Sequence, residues 1–367
     1  MRKAFAAVFV AALAATLASC GKQTFEIALV TDVGTINDKS FNQGAWEGTK
    51  KYAEEKKISY KYYQPRSAST DDYIATAETA INNGAKVVVT PGFLFENAVW
   101  KLQTSHPEVK FILLDGSPHN VTDWDTNATL DGGAPNFDVK KNVYPIFYAE
   151  EEAGFYAGYA AVHEGMRKLG FMGGMAVPAV VRFGLGYIEG AKYAANELAL
   201  GVNAVEMSYS YLGDFGPSEG HQTKAKSWYD TGTEVIFAAA GGAGNSVMAA
   251  ASDSTDKWVI GVDVDQSSQS DRVLTSAMKE LGNSVYQTLE GIYAETPVEG
   301  GTASLLDSKV DGVGLPEDFS RFQNFTKAQY DAIYAKVVAG QVTIEKGVDA
   351  PDYVGLGGTK VKVTVIE

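Results

Sequence analysis

Residues 25–48 read FEIALVTDVGTINDKSFNQGAWEG. The first six, Phe25–Val30, form a short and nearly continuous apolar run, the pattern of a strand covered on both faces. A tract of Thr, Asp, Gly, Asn, Lys and Ser follows, with one large ring, Phe41, set inside it. From Phe41 to Lys56 the chain reads as a helix. A strand-to-helix loop needs only Gly, Asp or Ser to turn the backbone and cap the helix. This loop carries Thr31, Asp32, Asn37, Asp38, Ser40, Phe41, Asn42 and Gln43, far more side-chain chemistry than a turn requires.

The same unit recurs along the chain. Strand-like runs are Phe25–Val30, Ile58–Tyr63, Lys86–Thr90, Lys110–Asp115, Lys168–Gly174, Asn203–Ser210, Glu234–Ala240 and Trp258–Asp263. Helix-like stretches lie between them: Phe41–Lys56, Thr70–Asn83, Glu151–Glu164, Gly184–Leu198 and Gly216–Asp230. Short apolar strands alternating with helices predict parallel sheets with helices on both faces, an α/β class. The alternation pauses at DGGAPNFDVKKNVYP (Asp131–Pro145) and then resumes, which predicts two doubly wound lobes with this stretch as a crossover.

The ends and the composition narrow the class. Arg2 and Lys3 precede an apolar run, Ala4–Leu17, that is too short to span a bilayer and has the length of a secretory leader. It ends Leu17-Ala18-Ser19-Cys20, similar to the lipobox of bacterial lipoproteins, which implies cleavage before Cys20 and lipidation of its sulfur. Cys20 is the one cysteine of the chain, so no internal disulfide framework exists. The expectation is a signal peptide at 1–19, a tether at 20–24 and a globular part held at the surface of a bacterial membrane. Formal net charge is −14, a balance that disfavours nucleic acid and anionic lipid as partners.

Ligands of doubly wound sheets bind beyond the carboxyl ends of the strands. Asp32, Asp115 and Asp263 each follow or close such a run. Each is either a cap or turn residue or a ligand acceptor. Phe41 is either a staple on the first helical turn or a face for a flat ligand. Phe183, in VVRFGLGYIEG, enters a helix in the second half and could supply a second face. In AAAGGAGNSV the dinucleotide pattern G-x-G-x-x-G fails, because Val247 stands where the third glycine belongs. Gly241, Gly242 and Gly244 serve more simply to let backbone approach a ligand. Asp263 could accept two hydrogen bonds from a vicinal diol. Lys279 falls in a predicted helix, where a lone lysine is usually solvated. The four histidines are scattered, with no metal-ligand spacing and no nucleophile motif, so neither a metal nor a cofactor nor catalysis is expected.

TDVGTINDKSFNQGAWEG, FILLD, the Phe183 segment, AAAGGAGNSV, WVIGVDVDQ and LTSAMK, in that order, resemble the basic membrane protein (Bmp/Med) family over roughly residues 25–300. These are lipoprotein solute receptors of ABC importers, and the likeness is to the purine nucleoside branch. The resemblance implies a type I periplasmic-binding-protein fold: two lobes joined by three chain crossings. It implies lobes of 25–137 plus about 265–305 and of 138–264 plus about 306–350, with a C-terminal tail at 351–367. It also implies a monomer that delivers ligand to permease and ATPase subunits.

Carried over residue by residue, Phe41 and Phe183 would sandwich the purine. Asp32 and Asp115 would read the base edge, with Asn37 and Asn42 beside them. Asp263 and Lys279 would take the ribose, with backbone help from Gly241 or Gly242. Asn37 stands before Asp38 where the family commonly has a second acidic residue. A receptor of the same fold for riboflavin or another flat heterocycle is the alternative reading. A nucleoside-cleaving enzyme and a surface adhesin stand further off.

Overall fold

The computed structural model describes residues 24–348 and 351–366. The expected leader at 1–19 and the lipidation site Cys20 lie outside the described residues. Two parallel sheets make the two lobes. In chain order the first lobe begins with β1 (Ile27–Val30), α1 (Phe41–Lys56), β2 (Tyr60–Tyr63), α2 (Thr70–Asn82), β3 (Val87–Pro91), α3 (Glu96–Ser105) and β4 (Lys110–Leu114). A small hairpin of β5 (Val121–Asp123) and β6 (Ala128–Thr129) precedes β7 (Val143–Tyr148). The second lobe runs through α4 (Glu150–His163), β8 (Lys168–Gly173), α5 (Pro178–Glu197), β9 (Val205–Tyr211), α6 (Glu219–Asp230), β10 (Val235–Phe237), α7 (Gly244–Ser252), β11 (Trp258–Asp263) and β12 (Val273–Lys279). The chain then returns with α8 (Leu281–Ile292) and β13 (Ser304–Leu306). It crosses once more to β14 (Val313–Gly314), α9 (Lys327–Val338), α10 (Tyr353–Leu356) and β15 (Val361–Val365).

The first sheet has the order β13-β7-β4-β3-β1-β2 and the second β14-β12-β11-β10-β8-β9-β15. Within these two sheets every pairing among the described residues is parallel except β12 with β14. Strands such as IALV and VVVTP are buried along their whole length, as helices on both faces require. The type I binding-protein architecture is present.

Five expectations need correction. Asp131–Pro145 is not the crossover, because Val143–Tyr148 pairs with β4 inside the first sheet. Pro145 disguised that strand. Even-numbered residues there serve β4 (Phe111 N to Asn142 O, Asp115 N to Ile146 O), so Pro145 turns its donor-less nitrogen to the other side. Lys279 is not helical: it ends β12, and the helix starts two residues later. Only Glu280 separates Lys279 from Leu281, with no Gly or Pro between them, so strand and helix run together in the sequence. α5 starts at Pro178, a favoured first-turn residue, which places Phe183 within the helix rather than at its entry.

The lobe boundaries also shift. Residues up to Tyr148 belong to the first sheet, and 265–279 carry β12 of the second. The supposed tail supplies β15, paired in register with β9 as an edge strand.

The three crossings run side by side: Ala149, Glu280 and residues 307–312. Ala149 N donates to Leu306 O and Glu280 N to Gly312 O, each at 3.0 Å. Behind them α4 and α5 pack backbone to backbone. A side chain on Gly154, Gly158, Gly186 or Gly190 would strike a carbonyl of the facing helix.

Candidate functional site

The carboxyl ends of both sheets face each other across a cleft. Asp32, Phe41, Asn42, Asp115, Phe183, Gly241, Gly242, Asp263 and Lys279 all line it. Asn37 does not. It is exposed and lines an adjoining groove, which shares Phe215, Gly242 and Asp38 with the cleft.

The opening loop is held by its own polar groups. Asp38 accepts from the backbone of Ser40, Asn42 and Gln43 at 2.9, 2.9 and 3.1 Å, and so caps α1. Asn42 is bound up in structure. Its Nδ2 donates to Asp32 Oδ1 at 2.8 Å and to Asp38 Oδ2 at 2.9 Å, and its Oδ1 accepts from Asp32 N at 3.2 Å. This ties Asp32 to the start of α1, with Gly34 N as a further donor at 2.7 Å. Burial nonetheless pushes the Asp32 carboxyl up to about 6. Ser40 is freed from capping, and its hydroxyl donates to Asp263 Oδ2 on the opposite lobe.

Asp115 and Asp263 end their strands at φ +55° and +67°, left-handed backbone that turns each carboxylate off the strand axis into the cleft. Lys279, 3 % exposed, stands between them. Its Nζ donates to Asp115 Oδ2 at 2.6 Å and to Glu150 Oε1 at 3.1 Å, and lies 3.8 Å from Asp263 Oδ1. Three rings surround the same ammonium: Phe41, Tyr148 and Phe183, with centroids at 4.9, 5.2 and 5.4 Å. Burial opposes the charge on Lys279, but the three carboxylates outweigh it and hold the amine protonated. Burial raises Asp115 and Asp263 above the usual carboxylate range. Oδ1 of Asp115 is buried with no hydrogen-bond partner among the described residues. A buried acceptor left open is costly unless something supplies a donor.

Phe183 is 2 % exposed and stands edge-on to Phe237 at 5.7 Å. It forms the floor behind Lys279 and offers little open face. Sequence reading missed Phe215, the partly exposed ring that separates cleft from groove beside Gly241 and Gly242. Its signal was the one that marked Phe41, a ring inside a Gly/Asp/Ser loop after a strand. Glu150 was missed too, since three consecutive glutamates at a helix start read as ordinary N-terminal charge. Among the described residues no cluster of His, Cys, Asp or Glu suits a metal. None of their helices is long and apolar enough to cross a membrane.

The model of the Bmp family, described as ABC transporter substrate-binding protein PnrA-like, matches residues 25–347. The chain belongs to the Bmp family. It is therefore a substrate-binding protein of ABC-transporter type, in a family of solute receptors rather than enzymes. Among relatives, it is 30 % identical to a Lactococcus lactis protein named ABC transporter nucleoside-binding protein BmpA, with 94 % of this chain and 99 % of the other covered. It is 28 % identical to the CD4+ T-cell-stimulating antigen of Listeria monocytogenes over 87 % and 88 % of the two chains. A solved ABC transporter solute-binding protein from Aeropyrum pernix K1 superposes with a TM-score of 0.72 at 21 % identity, covering 90 % of this chain and 95 % of that one. That likeness supports the fold of this Bmp chain and nothing finer.

Proposed function

We propose that this Bmp protein captures a purine nucleoside between its lobes and delivers it to the permease and ATPase subunits of an ABC importer, tethered to the membrane through Cys20. The observation that carries the reading is the open Oδ1 of buried Asp115, in a cleft that also holds the Phe41 ring and the Asp263–Lys279 pair. An acceptor in a dry wall calls for a neutral, donor-bearing ligand. A flat ring beside it calls for a heterocycle. A carboxylate next to an ammonium suits a vicinal diol.

Asp32, Asp115 and Asp263 make the lining acidic, so a phosphorylated ligand would meet repulsion. Phe215, with its partial exposure, is a better second stacking face than the covered Phe183. Stacking adds about 0.5–1.5 kcal/mol per aromatic pair beyond burial, and each hydrogen bond to a charged group about 1.5–3 kcal/mol. A few of these reach micromolar affinity, about −8 kcal/mol. The nucleoside-binding name of the Lactococcus relative agrees with this reading.

The test is native mass spectrometry of the Cys20-less protein as purified, then thermal-shift titration with guanosine, inosine, adenosine and riboflavin. A co-purified nucleoside mass, or a melting shift with nucleosides alone, is expected. A shift with riboflavin alone would keep the fold and replace the ligand.

A further inference from the structure

Glu150 has no exposed surface and does not line the cleft. Both its oxygens are engaged. Oε1 accepts from Lys279 Nζ at 3.1 Å, and Oε2 accepts from Arg182 Nε at 2.6 Å. Opposite it, the same ammonium meets Asp115 Oδ2 and Asp263 Oδ1. Glu150, Arg182, Asp263 and Lys279 belong to the second lobe, and Asp115 to the first. The ammonium is thus gripped from behind by its own lobe while it reaches across to the other.

The charges around Lys279 do not cancel. Two cations, Lys279 and Arg182, face three carboxylates, Glu150, Asp115 and Asp263. Arg182 is spent on Glu150, so the uncompensated negative charge falls on the cleft side. In the wider surroundings Asp38 faces Asp263, Glu151 adjoins Glu150 and is itself paired with Lys346 Nζ at 3.0 Å, and the Tyr148, Phe41 and Phe183 rings close the remaining sides.

We infer that Glu150, braced by Arg182, is a positioning residue for the binding site: it holds Lys279 Nζ at the back of the cleft, so that the ammonium is shared rather than surrendered to Asp115, and Asp115 keeps an oxygen for the ligand. Glu150 touches no ligand. It acts by competing for one ammonium. With its charge removed, Lys279 collapses onto Asp115 and Asp263 and pairs with the groups the ligand must reach. The opposing directions of the carboxyls agree with this. Burial raises Glu150, yet Lys279 and Arg182 together hold it below its usual range, while Glu150 itself helps to keep Asp115 high.

The ligand arm of the test rests on the nucleoside reading, and a second arm does not. In unliganded protein, carboxyl ¹³C NMR would follow the titration of Asp115 in wild type, Glu150→Gln and Glu150→Asp. Glu150→Gln is expected to lower the Asp115 midpoint by about one pH unit. It should also weaken guanosine binding by about tenfold, with the pH profile of affinity displaced in the same direction. Glu150→Asp keeps the charge and should restore both in large part. An unchanged Asp115 midpoint in folded Glu150→Gln would overturn the inference, as would Gln and Asp variants that behave alike.

Should Glu150→Gln not fold, Arg182→Met gives the opposite sign. It frees Glu150 to draw Lys279 away, so the Asp115 midpoint must rise, and a midpoint that stays or falls overturns the assignment. A wild type that binds no guanosine but shows these titration shifts would sink the nucleoside reading and leave the positioning role standing.

Discussion

Single residues decide what the cleft can hold. Phe41 and Phe183 both face Lys279, yet their surroundings differ. Phe41 opens α1 and stays partly exposed, while Phe183 is packed against Phe237 inside the second lobe. The two truncations should therefore separate binding from folding. Phe41→Ala is expected to weaken nucleoside affinity more than tenfold in calorimetric titration, with the urea midpoint unchanged. Phe183→Ala should cost about 3–5 kcal/mol of stability, as removal of a buried aromatic does, and be read first in the urea midpoint. Equal stability losses in both would remove the distinction. The strand-end aspartates were legible in the sequence because a carboxylate closing an apolar run is conspicuous. The hold of Glu150 on Lys279 was not, because it joins positions 129 residues apart.

At the scale of elements, α4 and α5 set the back wall of the site. Gly154 and Gly158 on one, and Gly186 and Gly190 on the other, bring the helix backbones together. That contact lets Arg182 reach Glu150 and puts Phe183 under Lys279. Gly158→Ala is expected to destabilise the protein by about 1–3 kcal/mol, since its Cβ meets backbone that cannot rotate aside. Chemical denaturation would show this, and a variant as stable as wild type would mean that the helices can slide apart freely. Such glycines are ambiguous in one sequence: they read as loop, which is why α5 looked as if it began at Gly184. β12 and β7 failed to show for related reasons. The first runs into its helix without a breaker, and the second carries a proline.

For the whole molecule, the lobes stand closed on one another. Ser40 of the first donates to Asp263 of the second, and Gln266 Nε2 donates to the Lys39 carbonyl at 2.7 Å. The first of these bonds uses a carboxylate that also lines the cleft, so closure and capture share a group. A ligand that favours the closed form shifts the population toward it. Ser40→Ala should raise the radius of gyration of unliganded protein in small-angle scattering, and saturating guanosine should bring it back. Scattering profiles that match wild type without ligand would show that this bond does not hold the lobes together.

The α/β alternation, the two lobes and the chemistry at the strand ends are readable along the chain, because each rests on local patterns of period and composition. A buried parallel strand must be apolar throughout, and a loop that turns into a helix must carry its own caps. Which lobe owns β7, β12 and β15 is settled by the assembled fold, since pairing partners lie far apart in the chain and any apolar strand can pair with another. It alone separated the exposed ring from the covered one and set Asn37 outside the cleft. Burial and charge balance are sums over neighbours that the fold assembles, and no single stretch of sequence contains them.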